Sequence, residues 1–175
     1  RSEVGVVGGK LIYPNNTIQH AGVIVGIGGY AGHAHKFWPV NTTGYNNRLA
    51  LTQNYSALTA AFMMFKRSLF DQLGGFDGEH FAIACNDVDF CLRAREEGYL
   101  NVYTPYAEAY HLESASRGYE ESEEQIERFN REKAIFKKRH HQILEQGDPF
   151  YNPNLSLLSE RFELDPEAAA FYENT

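Results

Sequence analysis

Residues Asn86-Asp87-Val88-Asp89-Phe90-Cys91-Leu92-Arg93 carry a helical pattern and two carboxylates. Val88, Cys91, Leu92 and Arg95 recur at i, i+3, i+4, the spacing of one helix face, so the run predicts a helix that Gly98 ends. Asn86 is a residue type that caps a helix through its side-chain oxygen, and Asp87 and Asp89 fall in the first turn, where the backbone dipole favours anions. Asp89 and Arg93 stand four apart and can pair, which leaves Asp87 free at the helix mouth. A carboxylate there can accept a proton from a bound hydroxyl. Ordinary first-turn capping explains the same pattern, and local pattern alone favours it.

Upstream of this helix, Thr59 to Phe65 is an apolar run of strand length. Lys66 to Leu73 has helical spacing, with Leu69, Phe70 and Leu73 on one side, and Gly74-Gly75 stops it. Downstream, Tyr99 to Thr104 predicts a strand closed by Pro105, and Ala107 to His111 a further one. Nearer the N-terminus, Val4 to Val7 and Lys10 to Tyr13 flank Gly8-Gly9, a turn is expected at Pro14-Asn15-Asn16, and Thr17 to Val25 is strand-like. Tyr30 to Arg48 reads as a long loop. From Tyr119 to Gln146 acids come first (Glu120, Glu121, Glu123, Glu124) and bases last (Lys137, Lys138, Arg139), the order that suits a long helix, with Ile126, Phe129 and Phe136 as its apolar stripe. The tail, Asp148 to Thr175, carries Asn152-Pro153 and Asp165-Pro166 and is expected to be extended, wrapping chain. The whole predicts a mixed α/β fold.

Length and composition exclude several classes. The 175 residues make one domain with room for a core, and 43% apolar with 22% charged residues is ordinary for a globular protein. A net charge of −7 argues against nucleic-acid binding, which needs a basic face. No apolar run approaches bilayer length. Cys85 and Cys91 make neither a disulfide scaffold nor a four-cysteine zinc site and are read as buried, reduced thiols. The chain opens on Arg1 and enters a strand pattern at Val4, from which we expect an excised piece of a longer chain.

Two further constellations can carry chemistry. In His111-Leu112-Glu113-Ser114-Ala115-Ser116-Arg117-Gly118 a histidine ends a strand, and two hydroxyls and an arginine follow. Arginine suits bidentate phosphate contacts, and histidine can hold a divalent metal that also touches phosphate; a plain polar loop has the same composition. At Thr59-Ala60-Ala61 small residues at a strand start let a ligand approach the backbone, as tight core packing also would require. His33 and His35 have no partner at a zinc-motif spacing and are read as loop residues, with ligand contact as the lesser alternative, and His140 and His141 as dipole partners at a helix end.

Taken in order, these pieces resemble family-2 glycosyltransferases of the GT-A fold, most closely the bacterial rhamnosyltransferase and O-antigen type. The resemblance runs from about Val4 to about Gly118. It rests on Val4-Gly5-Val6-Val7-Gly8-Gly9, Ile18-Gln19-His20-Ala21-Gly22, Asn54 to Ala61, Leu73-Gly74-Gly75-Phe76-Asp77, Asn86 to Arg93 and His111 to Gly118. It implies that Asp87 is the general base that deprotonates the acceptor hydroxyl, with Asn86, Asp89 and Arg93 supporting the motif. It implies that His111 helps bind a metal–diphosphate, that Ser114, Ser116 and Arg117 close over the diphosphate, and that Thr59, Ala60, Gly75, Phe76 and Asp77 lie beside donor and acceptor. The implied cofactor is manganese or magnesium in a full-length parent. The implied partners are a nucleotide-diphospho-sugar donor and a saccharide or lipid-linked saccharide acceptor.

The family motif often has glutamate where Asn86 stands. The nucleotide-binding half, with its metal-binding Asp-x-Asp, is expected before Val4; Asp87-Val88-Asp89 has that spelling but belongs to the other motif. The expectation is therefore the C-terminal part of a GT-A fold, with a mixed sheet, flanking helices and a long C-terminal helix. Residues 1–118 form the acceptor-side half, 119–147 a charged helix packed on it and 148–175 a tail. The parent is expected to be an inverting glycosyltransferase of bacterial cell-surface polysaccharide synthesis, cytoplasmic or at the inner membrane face. The isolated piece is expected to be inactive and, with its covering half missing, prone to self-association. A noncatalytic saccharide-binding or assembly module is the alternative; a metal-dependent hydrolase using Asp87, Asp89 and His111 ranks last.

Overall fold

The computed structural model describes residues 1–112 and 122–173. Its centre is a pair of long parallel strands, β1 (Val4–Ile12) and β7 (Leu100–Tyr110). Three short strands flank them antiparallel. β2 (Ile18–His20) and β6 (Met63–Phe65) pair with β1, and β5 (Gln53–Tyr55) pairs with β7. A separate two-stranded ribbon joins β3 (Val23–Val25) to β4 (Ala31–His33). The helices are α1 (Arg67–Gln72), α2 (Asn86–Glu96), α3 (Glu123–Arg139), α4 (His141–Gln146) and α5 (Pro166–Glu173). The architecture is the expected one: a mixed sheet, flanking helices and a long helix near the C-terminus.

The core forms where α2 and the 55–58 segment cover the sheet. Tyr55, Phe81, Phe90, Tyr103 and Phe136 are its largest fully buried side chains. Phe65, Phe70, Phe76 and Phe90 make a connected aromatic cluster under α1. Such pairs add stabilisation beyond area burial, about 0.5–1.5 kcal/mol each. Both cysteines are free and buried, as expected.

Several boundaries differ from those read in the sequence. Gly8-Gly9 does not interrupt the first strand. A Cβ on Gly9 would lie 2.4 Å from the Phe62 ring and 2.5 Å from the Ala107 carbonyl, so glycine there is a condition of close packing. Pro105 does not split β7. The β1–β7 register slips between Gly8 and Lys10, and the proline sits in the irregular stretch where no ladder N–H is demanded. Thr17 to Val25 is broken at Gly22, whose φ of 105° suits glycine. In the 59–65 run only Met63–Phe65 is strand; Ala60–Phe62 is a 3-10 turn capped by the Thr59 side chain. The tail stays irregular to Asp165 and then forms α5.

Three helix expectations are corrected. Asn86 does not cap α2: the Asp89 N–H already donates to the Cys85 carbonyl (2.8 Å), so the helix starts one residue earlier and Asn86 lies inside it. Cys85 holds the cap position at φ 63°, without a side-chain cap. His140 is not a simple dipole partner; it is buried, with Nε2 2.9 Å from Asp89. On α3, Ile126 is 47% exposed, while Glu132 takes a buried place and accepts the Ala84 N–H at 2.6 Å. The tail is pinned by Asp148, whose carboxylate accepts from Val25 N–H (2.8 Å), Ser56 Oγ (2.7 Å) and Phe150 N–H (2.9 Å).

Candidate active site

One face of α2 lies along residues 58–60. Cys91 Sγ accepts the Leu58 N–H at 3.4 Å, and one turn nearer the N-terminus Asp87 Oδ2 accepts the Ala60 N–H at 3.0 Å. Asp87 Oδ1 accepts the Val88 N–H at 2.8 Å. The carboxylate is thus aimed by one backbone donor on each oxygen, and an ionised carboxylate has lone pairs left over for a ligand proton. Asp87 is half-buried and lines a cavity of about 140 Å³ with Val23, Tyr30, Gly32, His33 and Cys85. That volume is close to the roughly 150 Å³ of a protein cavity that holds one six-membered ring.

The opposite side of the α2 N-terminus is closed. Residues two apart on a helix point about 200° apart, so Asp89 faces away from Asp87. Asp89 is fully buried and receives Arg93 Nε (2.8 Å), an Arg139 guanidinium nitrogen (2.9 Å) and His140 Nε2 (2.9 Å). Burial pushes its pKa up, but the hydrogen bonds from His140, Arg139 and Arg93 outweigh it and hold the pKa below the usual carboxylate value. Arg93 also donates to the Leu73 and Gly75 carbonyls at 2.6 and 2.7 Å. The same Arg139 reaches Asp77 at 2.8 Å, and His80 Nδ1 lies 2.9 Å from Asp77. One ion-pair network therefore ties the loop after α1 to α2 and the end of α3.

This geometry divides the residues singled out in the sequence. Asp87, Thr59 and Ala60 come together. Asn86, Asp89 and Arg93 belong to the same helix start, with Asp89 and Arg93 bracing it. Gly75, Phe76 and Asp77 join the bracing network or the aromatic cluster, and none of them lines the Asp87 cavity. His111 follows β7, with Nδ1 2.8 Å from Gln19 Oε1, and it too is outside the cavity wall. Ser114, Ser116 and Arg117 lie outside the described residues.

Sequence reasoning gives only a lesser place to the one histidine among the described residues that lines the cavity, His33. His33, read as a loop residue, sits on β4 opposite Val23. Its Nδ1 is 2.8 Å from Nδ1 of the fully buried His20. Burial, with His33 adjacent, holds the His20 imidazole well below its usual titration range. The available signal was Gly26, Gly28 and Gly29 between two short runs, a hairpin cue that sets residue 33 against residue 23. Cys85 also touches the cavity, but burial, then Asp87 and Glu132, pushes its thiol up to about 12, so it is not a nucleophile at neutral pH. Among the described residues no group of three or more His, Cys, Asp or Glu is placed to hold a metal ion. None of their helices is long and apolar enough to cross a membrane.

Comparison with known proteins gives partial-length relatives. No protein-family model matches the chain. It is 50% identical over 164 residues to the uncharacterized protein y4gI of Sinorhizobium fredii, covering 94% of this chain and 18% of that protein. It is 38% identical over 162 residues to the O-antigen biosynthesis protein RfbC of Myxococcus xanthus, covering 90% of this chain and 12% of that protein. Over 86 residues it is 38% identical to the N-acetylglucosaminyl-diphospho-decaprenol L-rhamnosyltransferase of Mycobacterium tuberculosis, covering 47% of this chain and 28% of that enzyme. The chain thus spans less than a third of the length of each of these relatives. These alignments agree with the resemblance read from the motifs, and the chain is a segment-length relative of a rhamnosyltransferase- and glycosyltransferase-like family.

Proposed function

We propose that this chain is the acceptor-side part of an inverting glycosyltransferase acting in the synthesis of a cell-surface polysaccharide, with Asp87 as its general base. The observation that carries the reading is the Asp87 carboxylate, fixed by Ala60 and Val88 N–H groups at the edge of a ring-sized cavity. The names of two relatives support the reaction class. A single displacement needs one base and no protein nucleophile, which fits a site whose thiol is protonated.

In this reaction the acceptor O–H gives its proton to Asp87. The oxygen's electron pair forms the new bond to the anomeric carbon of the donor sugar. The bond from that carbon to the diphosphate oxygen breaks, and its pair leaves with the nucleotide diphosphate. Attack opposite the leaving group inverts the anomeric centre. The leaving group's charge must be neutralised, and on this reading Ser114, Ser116, Arg117 and His111 contribute to that. On the same reading His111 would help hold a divalent metal, which would supply further positive charge to the leaving diphosphate.

The test is acceptor binding by the chain itself. In a ¹⁵N-labelled sample, saccharide or lipid-linked saccharide acceptor should shift the Ala60 and Val88 amide resonances, and nucleotide-sugar alone should shift them little. Acceptors that leave both amides unmoved while perturbing a distant surface would contradict the placement of the site.

A further inference from the structure

α3 carries a carboxylate on its buried face. Burying such a group costs stability unless it meets a donor, and Glu132, 3% exposed, accepts the Ala84 N–H on Oε2 at 2.6 Å. Ala84 stands three residues before Asp87, and both line the cavity, as does Cys85 between them. Cys85 lies at φ 63°, in the left-handed region that a residue with a Cβ adopts only where its surroundings hold it. No side-chain cap supports it. The turn is instead held by two backbone bonds, from the Ala84 N–H to Glu132 and from the Asp89 N–H to the Cys85 carbonyl. Neighbours of Glu132 on α3 hold a second wall of the cavity, Tyr30. The Phe129 ring meets Tyr30 edge-on with centroids 5.8 Å apart, and Lys133 Nζ lies 4.4 Å from the centre of the Tyr30 ring.

We infer that Glu132 is a positioning residue for Asp87: through the Ala84 N–H it fixes the left-handed turn at Cys85, and with it the point from which the Asp87 side chain reaches the cavity. Asp87 is then held at both ends. The Ala60 N–H aims the carboxylate, and Glu132 anchors the backbone that carries it. Without the Ala84 anchor the turn at Cys85 relaxes, and the carboxylate moves away from the Ala60 N–H. A displacement of about 1 Å at a reacting group can cost about 100-fold in rate, so a side chain that never touches substrate can govern transfer. That Asp87 acts as a base rests on the function proposed above; that Glu132 places Asp87 does not.

Two measurements test this. In the ¹⁵N-labelled chain, Glu132→Leu removes the acceptor at similar volume and should displace the Ala60 and Val88 amide resonances, which report the two bonds to Asp87. Glu132→Gln, whose neutral amide oxygen accepts the same N–H more weakly, should displace them in the same direction by less. The glutamine variant decides the matter if the leucine variant does not fold. Ala60 and Val88 resonances unmoved beside a displaced Ala84 resonance overturn the inference, whatever the protein catalyses. The second measurement is transfer by a longer protein that contains this chain and a donor-binding half. Glu132→Leu should lower kcat by about tenfold to 100-fold with donor KM within about twofold, and Glu132→Gln should recover most of that loss. A role in stability alone would lower Tm and leave kcat unchanged well below it, which overturns the inference if the two amides are also unmoved. Unchanged kcat beside displaced Ala60 and Val88 resonances would instead sink the base assignment and leave the positioning by Glu132 standing.

Discussion

Asp89 has no contact with water, yet three basic side chains end on its two oxygens. Replacing it by asparagine keeps the shape, leaves Arg93 without its counter-charge and leaves Arg139 with Asp77 alone. Both arginines reach solvent in part, so the cost should sit near the low end for a broken buried pair, about 3 kcal/mol. A urea unfolding curve of Asp89→Asn checks this, and an unchanged midpoint would contradict it. The group's folded pKa lies below its unfolded one, so its stabilisation is present above about pH 4 and is lost as the pH falls through the folded value. The Asp89–Arg93 pair could be read from spacing four residues apart, because helix geometry alone brings the two together. Arg139 and His140 could not, because they arrive from fifty and fifty-one residues away through tertiary packing. His33 was hidden for the same reason: its partner His20 lies thirteen residues back, across a hairpin.

At the level of elements, β1 depends on glycine where the 60–62 turn crosses it. Gly9→Ala would drive a Cβ into the Phe62 ring and the Ala107 carbonyl. Overpacking of this kind costs about 1–3 kcal/mol. It should also displace the turn that carries the Ala60 N–H, so the Ala60 amide resonance should move along with a lowered Tm. A Tm within a degree of wild type would show that the strand has slack. α3 opens with a reciprocal capping box, Ser122 Oγ to the Gln125 N–H and the Gln125 side chain to the Ser122 N–H. Ser122→Ala should cost about 1 kcal/mol, a Tm loss of roughly 2–4 °C for a chain of this size. Elements with one strong local signal were readable: the α2 periodicity, the charge order of α3 and the Gly74-Gly75 stop. The continuity of β1 and β7 was not. Glycine and proline are local breakers, and only the neighbouring turn and the register slip explain why they do not break these strands.

Across the molecule, two imidazoles are buried neutral. His20 is held well below its usual range by burial with His33 adjacent, and His35 falls to about 3 through burial and then Arg48. The unfolded chain takes up protons at both from about pH 6.5 downward, while the folded chain resists. Stability should therefore fall as pH drops from 6.5 towards 3, by up to about 1.4 kcal/mol per pH unit for each ring. Chemical unfolding measured at pH 7, 6, 5 and 4 checks this, and a flat profile above pH 4 would contradict the burial of these rings. The mixed sheet with its flanking helices was legible as a class, since strands and helices punctuate the chain in order. What holds the pieces together was not: Asp148 reaches back to Val25 and Ser56, and Arg139 clasps the loop after α1 to α2.

The central claim is that Asp87 takes the proton from the attacking hydroxyl, and the most direct test is transfer by a longer protein carrying this chain with Asp87→Asn. Asparagine has nearly the same shape and can still accept the Ala60 N–H, but it is a far weaker base. The account predicts that kcat falls by about 10²–10⁴ while donor KM stays within about twofold. Turnover within a few-fold of wild type would contradict it.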